Sequence, residues 1–211
     1  MQAGRRLFVA ATLAGAVGTA FAQRAPQEGT EYRPVKPQQP TDAPTGKIEV
    51  VEFFWYGCPH CNTLEPVLDE WTKKLPADVQ FRKVHVPFND ARHQQLFYTL
   101  ETLGKTKDLN PKVFAAIHGE RNRMNTPELL VAFAEKNGVD KKTFIDTFNS
   151  FGVQTKMKRA TTLAEGYGVD GVPAFGVNGR WYTAPSMAGS NANALRVVEM
   201  LIEQERKAPK R

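Results

Sequence analysis

The sequence predicts an α/β fold interrupted by a block of helices, and three observations carry that prediction. A nearly continuous apolar and β-branched run, "KIEVVEFFWY" at Lys47–Tyr56, leads directly into apolar residues at helical spacing. The middle of the chain then changes character and repeats helical periods separated by turn residues. Towards the end, two short apolar runs flank Asn178-Gly179, a strong short hairpin signal. A length of 211 residues, with 41% hydrophobic and 24% charged, suits one domain with an insertion and excludes disordered and fibrous classes.

The N-terminus, "MQAGRRLFVAATLAGAVGTAFAQR", has two arginines, an uncharged segment from Leu7 to Ala22, and small residues at Ala20 and Ala22. It reads as a cleaved export signal, residues 1–22. The 16 residues from Leu7 to Ala22 fall short of the ~20 that a spanning helix needs. "RRLF" also resembles a twin-arginine signal. Loss of Arg5 and Arg6 lowers the formal charge from +6 to +4. With basic residues scattered, that balance argues against a nucleic-acid partner.

Residues 23–45 contain five prolines and few apolar residues, an extended leader with one short edge strand around Tyr32–Val35. Residues 46–89 form the first part of the α/β domain. Lys47–Tyr56 reads as a strand buried on both faces. Leu64, Val67, Leu68, Trp71 and Leu75 mark the helix after it, with a kink at Pro66, and Val79–Val86 alternates as a second strand. Residues 90–152 are the helical insertion, with a start at Thr126-Pro127-Glu128 and a stop and restart at Gly138 and Asp140. Residues 153–208 complete the domain: a helix from about Val153 to Glu165, the hairpin, and a helix from about Asn193 to Lys207.

The only two cysteines, Cys58 and Cys61, lie in "FFWYGCPHCNTLEP". As a staple the pair is poor, because so short a loop contributes only about 2 kcal/mol. As a metal site it is incomplete, since structural zinc wants four ligands and His60, His85, His93 and His118 are scattered. Covalent haem attachment needs histidine after the second cysteine, and Asn62 stands there. A redox role fits. Cys58 opens a helix, where unpaired N–H groups and the helix dipole favour a thiolate, and His60 adds a neighbour able to carry positive charge. Each pKa unit below the ambient pH favours the reduced form by about 1.4 kcal/mol, or about 30 mV. Cys61, one turn on, reads as the shielded resolving thiol.

"EFFWYGCPHC", the helical insertion and "GVPAFGVNGR", in that order, resemble the DsbA branch of thioredoxin-fold thiol–disulfide oxidoreductases. The resemblance implies a thioredoxin fold with an inserted all-helical subdomain, a redox-active Cys58–Cys61 disulfide and no other cofactor. It implies a dithiol oxidase, with Cys58 as nucleophile, Cys61 as its partner, and Pro59 and His60 as the tuning dipeptide. Pro173 resembles the cis-proline facing the disulfide, with the backbone of Val172 pairing with a bound peptide as an added strand. Glu52 resembles an acid beneath the cysteines, matched with Lys83, that moves a proton to or from Cys61. The implied compartment is the periplasm, and the implied partners are reduced unfolded exported proteins and a DsbB-type membrane quinone reductase as reoxidant, with the protein a monomer. Trp55 and Tyr56 read as packing, and His85 as a satisfied core or edge residue. The proline-dense leader departs from the family pattern. Two alternatives stand beside this reading: an isomerase or reductase of the same fold, and a periplasmic metal carrier using the two thiols.

Overall fold

The computed structural model describes residues 24–88 and 91–208, so the export signal expected at residues 1–22 lies outside the described residues. In chain order the elements are β1 (Tyr32–Pro34), β2 (Ile48–Phe54), α1 (Pro59–Thr72), β3 (Val79–His85), α2 (Ala91–Thr102) and α3 (Thr106–Phe114). After a single π-helical turn, Ala115–Gly119, come α4 (Pro127–Lys136), α5 (Lys141–Phe148), α6 (Phe151–Tyr167), β4 (Ala174–Val177), β5 (Trp181–Thr183), α7 (Pro185–Ala188) and α8 (Asn191–Lys207).

The strands form one sheet in the order β1-β5-β4-β2-β3. β2 and β3 run parallel across the α1 crossover, and the remaining pairs are antiparallel. Every residue of β2 is buried, as its unbroken apolar run predicts for a strand covered on both faces. Val51 and Phe53 pack towards the inserted helices, while Ile48 and Val50 pack with Leu64 and Leu68 of α1 and Val198 and Leu201 of α8. Each large side chain so buried contributes about 1.5–3 kcal/mol from its removal from water. α1 runs through Pro66 as one helix to Thr72.

This mixed sheet with helices on both faces is a thioredoxin fold, with α2–α5 placed between β3 and α6. Local signals set several ends as expected. The Thr126 side chain accepts from Leu129 N, Asp140 accepts from Thr143 N, and Gly138 has φ 76°. The hairpin turn has φ 52° at Asn178 and 70° at Gly179, the left-handed pair that a two-residue turn needs. α6 begins at Phe151, earlier than the expected Val153, because Ser150 caps it by accepting from Val153 N.

The leader is held rather than loose. Val35 N donates to Arg180 O at 2.7 Å and Gln39 N to Gly179 O at 2.8 Å. Arg33 Nη2 reaches the Tyr167 and Gly168 carbonyls at 2.8 and 2.9 Å. The segment thus straps the hairpin tip to the end of α6.

Candidate active site

Cys58 sits where β2 ends and α1 begins, as the N-cap residue with extended φ −85° and ψ 118°. The connection is a tight turn closed by Cys58 N donating to Trp55 O at 3.0 Å, with Tyr56 and Gly57 at its centre. Gly57 has a specific reason to be glycine, because a Cβ there would lie 2.3 Å from the Trp55 indole. Pro59 follows at the first helical position, where its missing N–H costs nothing. Pro59 and His60 are exposed at the lip of the site.

Both cysteines are free thiols, Cys58 7% and Cys61 0% exposed. Cys58 Sγ accepts from Cys61 N at 3.4 Å and donates to Val172 O at 3.4 Å. The Val172–Pro173 bond is cis, as the resemblance implies, and it ends beside Cys58 immediately before β4. A hydrogen bond from the Cys61 thiol, opposed by burial and helped by the backbone N–H groups of Cys61 and His60 and by the His60 charge, lowers the Cys58 thiol from 9.0 to about 6. Burial, the bond to Cys58 and the Glu52 charge push the Cys61 thiol strongly the other way. One sulfur is set to be a thiolate at neutral pH and the other a thiol.

Beneath them β2 carries two buried acids in contrasting settings. Glu49 accepts from Arg82 Nε at 2.9 Å and Nη2 at 3.1 Å, and from Asp42 N at 2.7 Å, so both oxygens are satisfied. Glu52, 0% exposed, forms an ion pair with Lys83 Nζ 3.0 Å from Oε2, yet neither carboxylate oxygen has a hydrogen-bond partner of good geometry. Burial raises the Glu52 carboxyl to about 7, against the pull of Lys83. Burial alone would lower the Lys83 ammonium, but Glu52 and Glu65 beside it reverse this and hold it high. Lys83 also pairs with Glu65, which α1 brings down one turn beyond Cys61. The expected Glu52–Lys83 pair is therefore in place, and Glu65 joins it, a residue the sequence did not single out.

A wall of rings stands behind the turn. Tyr56 N donates to His85 Nε2 at 3.1 Å, His118 Nε2 lies 2.8 Å from Tyr56 O, and the Tyr56 hydroxyl bonds Asn110 Oδ1. His85 packs edge-on to Phe54 and tilted against Tyr56 and Phe97. Burial holds His85 well below the usual histidine range. His85 is thus a core residue, but only partly satisfied, since Nδ1 has no partner.

A cavity of about 710 Å³ lies between α6, β3 and the leader. Four of its five cations are already paired: Arg159 with Asp42, Lys156 with Glu101, Arg82 with Glu49 and Lys83 with Glu65. Among the described residues, no three His, Cys, Asp or Glu side chains are grouped to hold a metal ion.

A profile of the DSBA-like thioredoxin domain family matches residues 89–196. The thiol:disulfide interchange protein DsbA of Bordetella parapertussis is 46% identical over 96% of this chain and 97% of its own length. Its namesake from Pseudomonas aeruginosa strain PAO1 is 43% identical over 87% of each chain. The crystal structure of Pseudomonas aeruginosa DsbA superposes with a TM-score of 0.83, covering 88% of this chain and 97% of that one. The oxidoreductase DsbA of Xylella fastidiosa, 30% identical, gives 0.80 over 87% and 99%.

Proposed function

The chain belongs to the DsbA family of thiol:disulfide interchange proteins, and from that premise we propose that Cys58 and Cys61 are the pair through which it exchanges disulfides with exported proteins. It is a protein disulfide oxidoreductase, and the reading best supported is that of a dithiol oxidase. The observation that carries it is the opposed setting of the two sulfurs, Cys58 acidic at a helix N-terminus and Cys61 buried and basic.

In the working cycle the pair begins as a disulfide. A substrate thiolate attacks Cys58 Sγ, the Cys58–Cys61 bond breaks, and Cys61 leaves with the electron pair. Glu52 is the proton source for that sulfur, recharged through Lys83 and Glu65. A second substrate thiolate then attacks the substrate sulfur of the mixed disulfide and expels Cys58 as a thiolate. The substrate loses two electrons and the protein gains them. As a thiolate Cys58 no longer donates to Val172 O, so that carbonyl is released for a backbone N–H of an incoming peptide, with Pro173 fixing the loop. Pro59 and His60, at the exposed lip, tune the thiolate without obstructing it.

A DsbB-type membrane quinone reductase returns the pair to the disulfide, the compartment is the periplasm, and the protein works as a monomer. The segment 90–152 acts as the inserted subdomain between the two parts of the thioredoxin domain, 46–89 and 153–208. No helix among the described residues is long and apolar enough to cross a membrane.

The test is oxidation of a reduced, unfolded two-thiol protein by the preoxidised chain. One disulfide should form per protein consumed, and Cys58→Ser should form none. An inactive wild type, or a fully active Cys58→Ser, overturns the reading.

A further inference from the structure

The turn that presents Cys58 has a built-in ambiguity. In a turn spanning Trp55 to Cys58, the central Tyr56–Gly57 peptide can rotate by about half a circle while the closing hydrogen bond persists. The rotated form requires a left-handed third residue, which glycine alone adopts freely, and that residue is Gly57. Here Gly57 lies outside the left-handed region, so one of the two forms is selected.

What selects it is visible around Tyr56. Its N–H is taken by His85 Nε2 at 3.1 Å and its hydroxyl by Asn110. Those bonds hold the residue but not the peptide that follows it. The carbonyl of that peptide meets His118 Nε2 at 2.8 Å. A carbonyl only accepts, so Nε2 carries the proton and donates. The imidazole is itself aimed, lying at 22° to the Phe114 ring with centroids 6.0 Å apart, on the π-helical turn Ala115–Gly119. Such single π-turns recur at functional sites.

We propose that His118 is a positioning residue for disulfide exchange, latching the Tyr56–Gly57 peptide and so holding the turn that delivers Cys58 in one form. Fixed dipoles stabilise an anion only while they are held in place. A turn that samples both peptide orientations shifts Cys58 against the Cys61 N–H that its sulfur accepts, so losing the latch weakens the Cys58 thiolate and makes the disulfide a weaker oxidant. The inference rests on Cys58 being the attacking sulfur.

His118→Phe keeps the ring and its stacking but removes the donor, whereas His118→Gln keeps an N–H donor at similar reach. The readouts are the redox equilibrium with glutathione and the thiolate absorbance of Cys58 against pH. His118→Phe should shift the equilibrium constant 5- to 10-fold towards the disulfide, about 20–30 mV for a two-electron couple, and move the thiolate titration upwards. His118→Gln should return both to within twofold of wild type. If His118→Phe does not fold, His118→Asn, too short to reach the carbonyl, carries the same expectation. A folded donor-less variant indistinguishable from wild type, or a folded His118→Gln that restores nothing, overturns the latch. A wild type without an acidic Cys58 thiol would instead overturn the functional reading beneath it.

Discussion

The active site has a floor and a wall, and they are built on opposite principles. The floor beneath Cys61 consists of Glu52, Lys83 and Glu65, three ionisable groups in contact, with both Glu52 oxygens left without a well-formed hydrogen bond. The wall behind Tyr56 consists of His85, His118, Asn110 and packed aromatic rings. A floor of that kind suits a group that changes charge near neutral pH, because an incompletely satisfied buried acid favours its neutral form. A wall of hydrogen-bonded and stacked rings fixes geometry instead. Disulfide exchange needs both, since one sulfur must gain and lose a proton while the other must stay in line for attack.

The largest effect should come from removing the sulfur that rests on the floor. Without Cys61 no internal disulfide exists, so oxidase turnover is abolished in both Cys61→Ser and Cys61→Ala. The two should differ at Cys58. The Cys61 thiol is the main stabiliser of the Cys58 thiolate, and serine keeps an O–H donor there. Cys58 should therefore titrate near its present value of about 6 in Cys61→Ser and move towards 9.0 in Cys61→Ala, read by thiolate absorbance. Equal titrations in the two variants would separate the lip of the site from its floor.

A smaller, pH-dependent effect is expected at Glu52. Its folded-state value of about 7 lies above the ordinary 4.5, so its favourable contribution is complete below about 4.5 and is lost as the pH rises through 7. Glu52→Gln should abolish that loss, stabilising the reduced protein at pH 8 relative to pH 5 by on the order of 2 kcal/mol. Denaturant melts at the two pH values measure it. A pH-independent change would show that Glu52 does not titrate in this window and would remove it as the proton source.

How much of this was legible depended on whether a feature is contiguous. The Cys58 helix start, the apolar β2 run and the Asn178-Gly179 turn are each encoded in neighbouring residues, and each reads directly from pattern. Glu52 with Lys83 was named only through family resemblance, since nothing local shows that two strands pair Glu52 with Lys83 in register. Glu65 was hidden because its position on α1 looks like any solvated helical acid. Glu49 carries no local signal either, though it is as buried as Glu52, because only the fold supplies Arg82. His118 and Asn110 come from the insertion, whose docking onto β2 no periodicity reveals. Proline content marks the leader as extended but not what holds it, which is Arg33, Val35 and Gln39 bonding to α6 and the hairpin over more than a hundred residues of sequence.

The smallest expected effect lies on the wall, where its neutrality can be checked at His85. Burial among Phe54, Tyr56 and Phe97 opposes a charged imidazole, and Nε2 already accepts the Tyr56 N–H, so the proton resides on Nδ1. A lowered histidine value contributes stability above about 6.5 and loses it as the pH falls, the reverse of Glu52. Between pH 8 and pH 5 the His85 ring resonances in an NMR titration should therefore stay in place while the Glu52 carboxyl signal moves with a midpoint of about 7. Protonating Nε2 would turn the acceptor of the Tyr56 N–H into a donor facing another donor, forcing the turn before Cys58 to move. A His85 ring that titrates in this range would make the wall a second charge-changing element and erase its distinction from the floor.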